Sequence, residues 1–461
     1  MTIVSQWQLR AEFARRLSEM YGREVPAYST LVEVSREVNA EVLERSGADA
    51  ERLGSIARVT SERHGAIRVG TPAELSQAAR IFGALGMQPV GFYDLREAAS
   101  TAVPVISTAF RPVEAEELAR NPFRVFTSLL TPADPRFFDE DLRTRLERFL
   151  AGRVLFPPEL LELADRAERE RELPRADADR FVGLAVRAFE LSAEPVDKAW
   201  YDELERVSAV AADIGGVRST HLNHLTPRVL DIDALYRRMT ERGVTMIDAI
   251  QGPPHREGPD VLLRQTSFRA LDETRRLRLP DGTVTTGALR VRFGEVEARG
   301  IALTPRGRTR YDLLLAETDR RTAELGREHA AQVVWQEGFP RTERDLIDED
   351  LAYFTYHLRD DRPRDRRPPA TVAGLLDGGW TAAEPIVYED FLPRSAAGIF
   401  QSNLSGEGSR DNSREGVRYD IGWLAGAIDR EIHDPYTLYQ RQQDSSLAEI
   451  VKKLGPADSF R

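Results

Sequence analysis

The stretch HGAIRV (64–69) decides the fold, because it alternates as a β-strand does and opens an order of elements that recurs later in the chain. A helical pattern, AELSQAARIFGALG (73–86), follows this strand and ends on Gly86. Three runs rich in β-forming residues come next, at QPVGFYDL (88–95), VPVISTAF (103–110) and FRVFTSLL (123–130). The first unit is therefore predicted to run β-α-β-β-β.

The same order of elements returns from residue 224. HLTPRV (224–229) predicts a strand, and DIDALYRRMTERG (231–243) predicts a helix. Three more β-rich runs follow, at VTMIDAIQ (244–251), VLLRQTSFRAL (261–271) and GALRVRFGEVEA (287–298). The units share an order of elements without a residue-level repeat. We therefore predict an α+β fold in which two βαβββ modules each form half of a β-barrel core.

Helical patterns flank and separate the two units, with proline residues as breakers between them. A charged, proline-rich bridge, DDRPRDRRPP (360–369), is expected to be a solvated linker. We predict five segments: a helical N-terminal segment at 1–60, the first module at 61–131, a helical insertion at 132–215, the second module at 216–305, and a helical and mixed C-terminal region at 306–461 that closes the site.

Composition excludes several classes of function. The chain has 461 residues and no cysteine, which removes disulfides, zinc ribbons, iron–sulfur clusters and thiol nucleophiles. The net charge of −11 argues against extensive electrostatic binding to nucleic acid. No apolar run approaches the roughly 20 residues of a membrane span, and the opening residues carry no secretory signal pattern. We expect a cytoplasmic protein that acts on a small molecule.

Two histidines occupy equivalent positions in the two units. His64 opens the first strand of the first unit, His224 opens the first strand of the second, and Glu295 and Glu297 lie on the last strand of the second. If the two sheets curl against each other, these strands converge on one point. Two histidines and one carboxylate with open positions are typical of non-haem Fe(II).

The residues alone leave two alternatives open. His221 competes with His224, and we prefer His224 because HLTPRV parallels HGAIRV. Glu295 and Glu297 are two apart and share a strand face, so strand parity does not separate them. Arg68 shares the face of His64 and lies about 13 Å further along at about 3.3 Å per residue. A substrate that chelates the metal at one end could meet the guanidinium of Arg68 at the other.

Five motifs together resemble the 2-oxoadipate dioxygenase/decarboxylase family, also called 2-hydroxyglutarate synthase. They are RHGAIRVGT (63–71), HLNHLTPRVLDID (221–233), LLRQTSFRAL (262–271), FGEVEARGIALTPRGR (293–308) and YEDFLPRSAAGIFQSNL (388–404). That family belongs to the vicinal oxygen chelate superfamily, which is built from paired βαβββ modules. The resemblance implies an Fe(II) enzyme of lysine catabolism that converts 2-oxoadipate and O2 to (R)-2-hydroxyglutarate and CO2.

The resemblance also implies a role for particular residues. His64 and His224 match the metal histidines, and Arg68 matches the arginine that binds the substrate carboxylate. FGEVEAR also resembles the FLEVIQR-type strand of 4-hydroxyphenylpyruvate dioxygenases, which selects Glu295 as the third ligand. Ser395, in the segment that resembles a cover over the substrate, is a possible substrate contact. Two alternatives are another metalloenzyme of the same superfamily and a metal-free small-molecule binding module.

Overall fold

The fold was obtained as a computed structural model, which describes residues 2–97, 103–290, 292–403 and 410–454. Its strands are short and belong to several sheets, as the α+β prediction requires. They are β1 Ile3–Ser5, β2 Arg63–Val69, β3 Gln88–Asp94, β4 Val105–Arg111, β5 Arg124–Leu130, β6 Glu172–Pro174, β7 Val196–Asp197, β8 His224–Pro227, β9 Leu263–Phe268, β10 Glu273–Arg278, β11 Val284–Leu289, β12 Gly294–Arg299, β13 Phe354–Leu358 and β14 Thr381–Pro385.

Helices cover both ends of the chain and the predicted insertion. They are α1 Gln6–Glu24, α2 Pro26–Ser46, α3 Ile56–Ser61, α4 Pro72–Ala84, α5 Ala115–Arg120, α6 Glu140–Ala151, α7 Pro158–Glu170, α8 Arg175–Ala188, α9 Lys198–Glu205, α10 Ala209–Gly215, α11 Ile232–Glu241, α12 Pro305–Leu325, α13 Arg327–Gly338, α14 Glu343–Asp348, α15 Val372–Asp377, α16 Pro393–Asn403, α17 Ile421–Ile428 and α18 Pro435–Leu454, with a 3-10 helix at Gly47–Glu51. None of these described helices is long and apolar enough to cross a membrane.

A five-stranded sheet in the order β3-β4-β5-β2-β8 contains the first unit. The strand β2 lies between β5, to which it is parallel, and β8, to which it is antiparallel. Thr71 lies two residues beyond the end of β2 and caps α4: its hydroxyl accepts the Glu74 N–H, and the Glu74 side chain accepts the Thr71 N–H. This capping box turns the chain back over the sheet. Every residue of β2 is buried.

The second unit departs from the predicted strands. The run 244–251 is not a strand, since it makes only isolated bridges to β9 at Met246 and Gln251. The run 287–298 is not one strand either, because β11 ends at Leu289 and β12 begins at Gly294. Strand β11 is mostly exposed and pairs with β10 in an antiparallel hairpin. This hairpin belongs to a different sheet from β9 and β12.

The strand β12 carries two glutamates two residues apart, in the sequence GEVE, and its neighbouring strands position them. It pairs with β9 along its whole length in antiparallel register. It also lies alongside the end of β8, where the Val229 N–H donates to the Glu297 carbonyl at 2.8 Å and Arg228 bridges Glu297 in parallel. Because β8 pairs with β2, the strands β2, β8 and β12 bring both units to one place.

Candidate metal centre

His64 is the second residue of the buried strand β2 and lies between two carboxylates. Its Nε2 atom is 3.3 Å from Oε1 of Glu295, and its Nδ1 atom is 2.8 Å from Oε2 of Glu297. The side chain is 1% exposed. Both glutamates come from β12, where residues two apart share one face.

His224 is the first residue of β8 and faces the same carboxylate. Its Nε2 atom is 3.6 Å from Oε2 of Glu295, and its ring is perpendicular to that of His64 with centroids 5.3 Å apart. Within the described residues, neither ring nitrogen of His224 has a hydrogen-bond partner, although both are buried. Buried polar atoms are normally satisfied, so a histidine in this state fits a metal ligand.

One ligand atom from each of His64, His224 and Glu295 lies within 4.8 Å of the others. Over the part of the chain that the structure describes, this is the one group of three such residues close enough to hold a metal ion. Gln265, on β9, donates its amide N–H to Oε1 of Glu295 and so holds that carboxylate in place.

Burial sets the charge of these groups. It lowers the pKa of His224 well below the ordinary value, and the nearby charges of His64 and Arg68 lower it further. His224 is therefore a neutral imidazole at neutral pH, which is the form that binds metals. Burial also raises the pKa of Glu295, against the opposing effect of His64. For His64, burial lowers the pKa, but Glu297 and Glu295 outweigh it and raise the pKa overall.

Aromatic rings enclose the donor group. Phe391 meets the His64 ring edge-on with centroids 5.0 Å apart, and Phe293 lies 5.3 Å from the His224 ring. Phe126 and Tyr93 pack behind Phe391. These rings keep bulk water away and strengthen the electrostatic interactions inside.

Arg68 lies on the same face of β2 as His64 and is buried. In this structure its guanidinium donates to Asp213, a buried residue of α10. Asp213 also accepts an N–H from Asn223 at 2.8 Å and lies 3.3 Å from Nε2 of His221. The structure thus places His221 beside Asp213, apart from the donor group that contains His224.

Ser395 is buried near the start of α16. It lines a cavity of about 630 Å³ together with Gln251, Arg264 and Leu392. Among the described residues that line this cavity, His64, His224 and Glu295 do not occur. A contact between Ser395 and a substrate stays a prediction.

Four residues of the site were not predicted from the sequence: Asp213, Gln265, Phe391 and, as a partner of His64, Glu297. Asp213 comes from the helical insertion, and no periodic pattern relates it to Arg68. Gln265 lies opposite Glu297 in the register of β9 and β12, which is visible only once the strands are paired. The sequence signal for Glu297 was present, since it shares the strand face of Glu295.

Two histidines and one glutamate, buried at the junction of two β-rich units, form a donor set typical of mononuclear non-haem iron oxygenases. The family model for 2-oxoadipate dioxygenase/decarboxylase matches residues 13–403 of this chain. The chain therefore belongs to the 2-oxoadipate dioxygenase/decarboxylase family.

Individual relatives cover nearly the whole chain. A protein of Mycobacterium tuberculosis (strain H37Rv) named 2-oxoadipate dioxygenase/decarboxylase is 58% identical over 432 residues, which are 94% of this chain and 95% of the relative. An Escherichia coli K12 protein of the same name is 40% identical over 446 residues, with 95% and 97% covered. The hydroxyglutarate synthase of Pseudomonas putida, solved in complex with 2-oxoadipate, matches with a TM-score of 0.85 and 40% identity, covering 98% of this chain and 99% of that one.

Proposed function

We propose that the chain is an Fe(II)-dependent enzyme that converts 2-oxoadipate and O2 to (R)-2-hydroxyglutarate and CO2. The reaction balances without a further oxidant, since the C1 carboxylate leaves as CO2 and both oxygen atoms of O2 enter 2-hydroxyglutarate, one in its new carboxylate and one in its hydroxyl. We place this activity in the cytoplasm and in lysine catabolism.

The observation that carries the proposal is the buried group of His64, His224 and Glu295 in a chain of this family. A buried His224, whose ring nitrogens have no hydrogen-bond partner among the described residues, and a carboxylate held by Gln265 suit a divalent cation. A relative with the same fold was solved with 2-oxoadipate, which supports a 2-oxo diacid as the substrate. We also propose that the two units are the paired modules of the vicinal oxygen chelate superfamily, with the β10–β11 hairpin inserted in the second.

When bound, Fe(II) would supply the redox chemistry that couples O2 to loss of the C1 carboxylate. The protein contributes three metal ligands and a lining of aromatic side chains around them. Gln265 keeps the carboxylate of Glu295 pointed at the histidines by donating to it. Phe391 and Phe293 cover the histidine rings and keep water from competing for the site.

Arg68 would bind the distal carboxylate of the substrate. It is a buried cation four residues along β2 from His64, so the two ends of a diacid could be fixed by one strand. A guanidinium suits this task because its planar fork pairs with a carboxylate through two N–H groups. Asp213 holds the guanidinium from the side of α10.

Oxygen uptake tests the proposal. Purified protein reconstituted anaerobically with Fe(II) should consume one O2 and release one CO2 for each 2-oxoadipate, with 2-oxoglutarate and 4-hydroxyphenylpyruvate much slower. Turnover of 2-oxoadipate without O2 would instead favour an isomerase or lyase. Absence of both turnover and metal binding would favour a binding module.

A further inference from the structure

Glu297 is fully buried and contacts two groups of opposite kind. Its Oε2 atom lies 2.8 Å from Nδ1 of His64. On its other side, Arg299 donates to both of its oxygens, from Nε to Oε1 at 2.7 Å and from Nη2 to Oε2 at 2.9 Å. The carboxylate therefore joins a candidate metal ligand to a buried arginine.

The two glutamates of β12 contact different nitrogens of the His64 imidazole. Nε2 faces Glu295 and the donor group, and Nδ1 faces Glu297. A neutral imidazole carries its proton on one nitrogen, so a ring that binds a metal through Nε2 needs an acceptor at Nδ1. The Nδ1–H bond is not aligned with the Glu297 oxygen in this structure, although the two heavy atoms lie within hydrogen-bonding distance at 2.8 Å.

Arginines surround this acceptor. Arg299 donates to both oxygens of Glu297, and Nη1 of Arg124 lies 3.5 Å from its Oε1. An ionised carboxylate can only accept hydrogen bonds, so it favours a proton on Nδ1. For His224, only Nε2 faces a carboxylate, that of Glu295; its Nδ1 has no hydrogen-bond partner among the described residues.

Glu62 provides an internal comparison. It is as buried as Glu297 and belongs to the same ionic cluster, because it accepts from Arg124 at 2.7 Å and from Arg228 at 2.9 Å. Arg299 lies within 3.4 Å of it as well. No hydrogen bond or ion pair joins the described side chains of Glu62 and His64, so Glu62 belongs to the same ionic cluster as Glu297 without its polar contact to the ligand.

We propose that Glu297 is a positioning residue, which fixes the tautomer and orientation of His64 so that Nε2 points at the metal. This inference rests on the metal site proposed above. The E-x-E spacing of β12 then has a defined meaning, since the first glutamate binds the metal and the second orients a histidine. Carboxylates in this position typically change metal affinity by about 10–100-fold.

Titration of metal-free protein with Co(II) alone, followed by visible absorption, tests the inference without turnover. Wild type, Glu297→Gln and Glu62→Gln are compared at a temperature where all three are folded. We expect Glu297→Gln to weaken the Kd for Co(II) by about 10–100-fold and Glu62→Gln to leave it within about threefold of wild type.

Each outcome decides a different question. An unchanged Kd in Glu297→Gln, or an equal loss in both variants, overturns the positioning role. A wild type that binds no Co(II) overturns the metal site itself. If Glu297→Gln does not fold, Glu297→Asp takes its place, because it keeps the charge that Arg299 requires and withdraws the oxygens by one methylene; an unchanged Kd there overturns the role equally.

Discussion

Two histidines three residues apart have different surroundings in this structure. His221 lies against Asp213 and Asn223, whereas His224 faces Glu295 with both ring nitrogens unpartnered among the described residues. The preference for His224 rested on the parallel between two strand sequences. The structure adds a physical reason, since His221 already has a carboxylate and an amide beside it.

The pair gives a matched test at the residue scale. His224→Ala should abolish iron binding, because it removes one of three donors, while His221→Ala should keep about one iron per chain. Iron content after anaerobic reconstitution measures both. Full iron in His224→Ala together with loss of iron in His221→Ala would assign the ligand to His221.

Arg68 makes a second prediction at this scale. A charge-assisted hydrogen bond contributes roughly 1.5–3 kcal/mol, so Arg68→Ala should lower kcat/KM for 2-oxoadipate by about one to two orders of magnitude. Iron content should not change, and Arg68→Lys should restore only part of the loss, because lysine lacks the planar fork. The measurement is steady-state kinetics per bound iron.

The control is the substrate 2-oxohexanoate, which has the same chain length without the distal carboxylate. Its kcat/KM should be nearly equal in wild type and Arg68→Ala. A purely structural ion pair with Asp213 would instead make the two substrates lose activity together, or leave both unchanged in the folded enzyme.

At the scale of elements, the segment that precedes α16 is tied to the core by buried charges. Glu389 pairs with Arg58 and Arg124, and Arg111 binds Asp390 through two hydrogen bonds of 2.8 and 3.0 Å. The next residue, Phe391, is the ring that covers His64. The ionic contacts therefore hold the cover of the candidate site in place.

The free energy of unfolding should depend on pH through Glu389. Burial raises its pKa, but Arg58 and Arg124 outweigh burial and lower the pKa from 4.5 to about 2. Between these two pKa values the unfolded chain therefore binds more protons than the folded chain. The stabilisation that ionised Glu389 gives the fold is complete above about pH 4.5 and is lost as pH falls toward 2. Glu389→Gln should cost about 3–5 kcal/mol at pH 7, because it leaves buried arginines short of a counter-charge.

The free energy of unfolding from urea titrations at pH 7 and pH 3 checks this. The difference between wild type and Glu389→Gln should shrink at pH 3. Glu257→Gln, at an exposed position, should match wild type at both. A difference that stays constant between the two pH values would contradict the ionised state of Glu389.

At the scale of the whole molecule, the sequence predicted what depends on local pattern. The α+β class, the strand β2, the helix α4 and the three donor candidates follow from periodicity and from motifs. The hairpin of β10 and β11 was missed, although Asp281 and Gly282 are a turn signal and Gly282 has a φ of +85°. The pairings of Asp213 with Arg68 and of Glu389 with Arg124 join residues far apart in the chain, so no local pattern could reveal them.

The central claim is that His64, His224 and Glu295 hold one metal ion. Anomalous diffraction at the iron edge, on crystals of Fe(II)-loaded protein kept free of O2, tests it most directly. We expect one peak at roughly 2.0–2.3 Å from a nitrogen of each histidine and an oxygen of Glu295, by analogy with other divalent first-row metals. A peak beside His221 or Glu297, or no peak within this group, would contradict the claim.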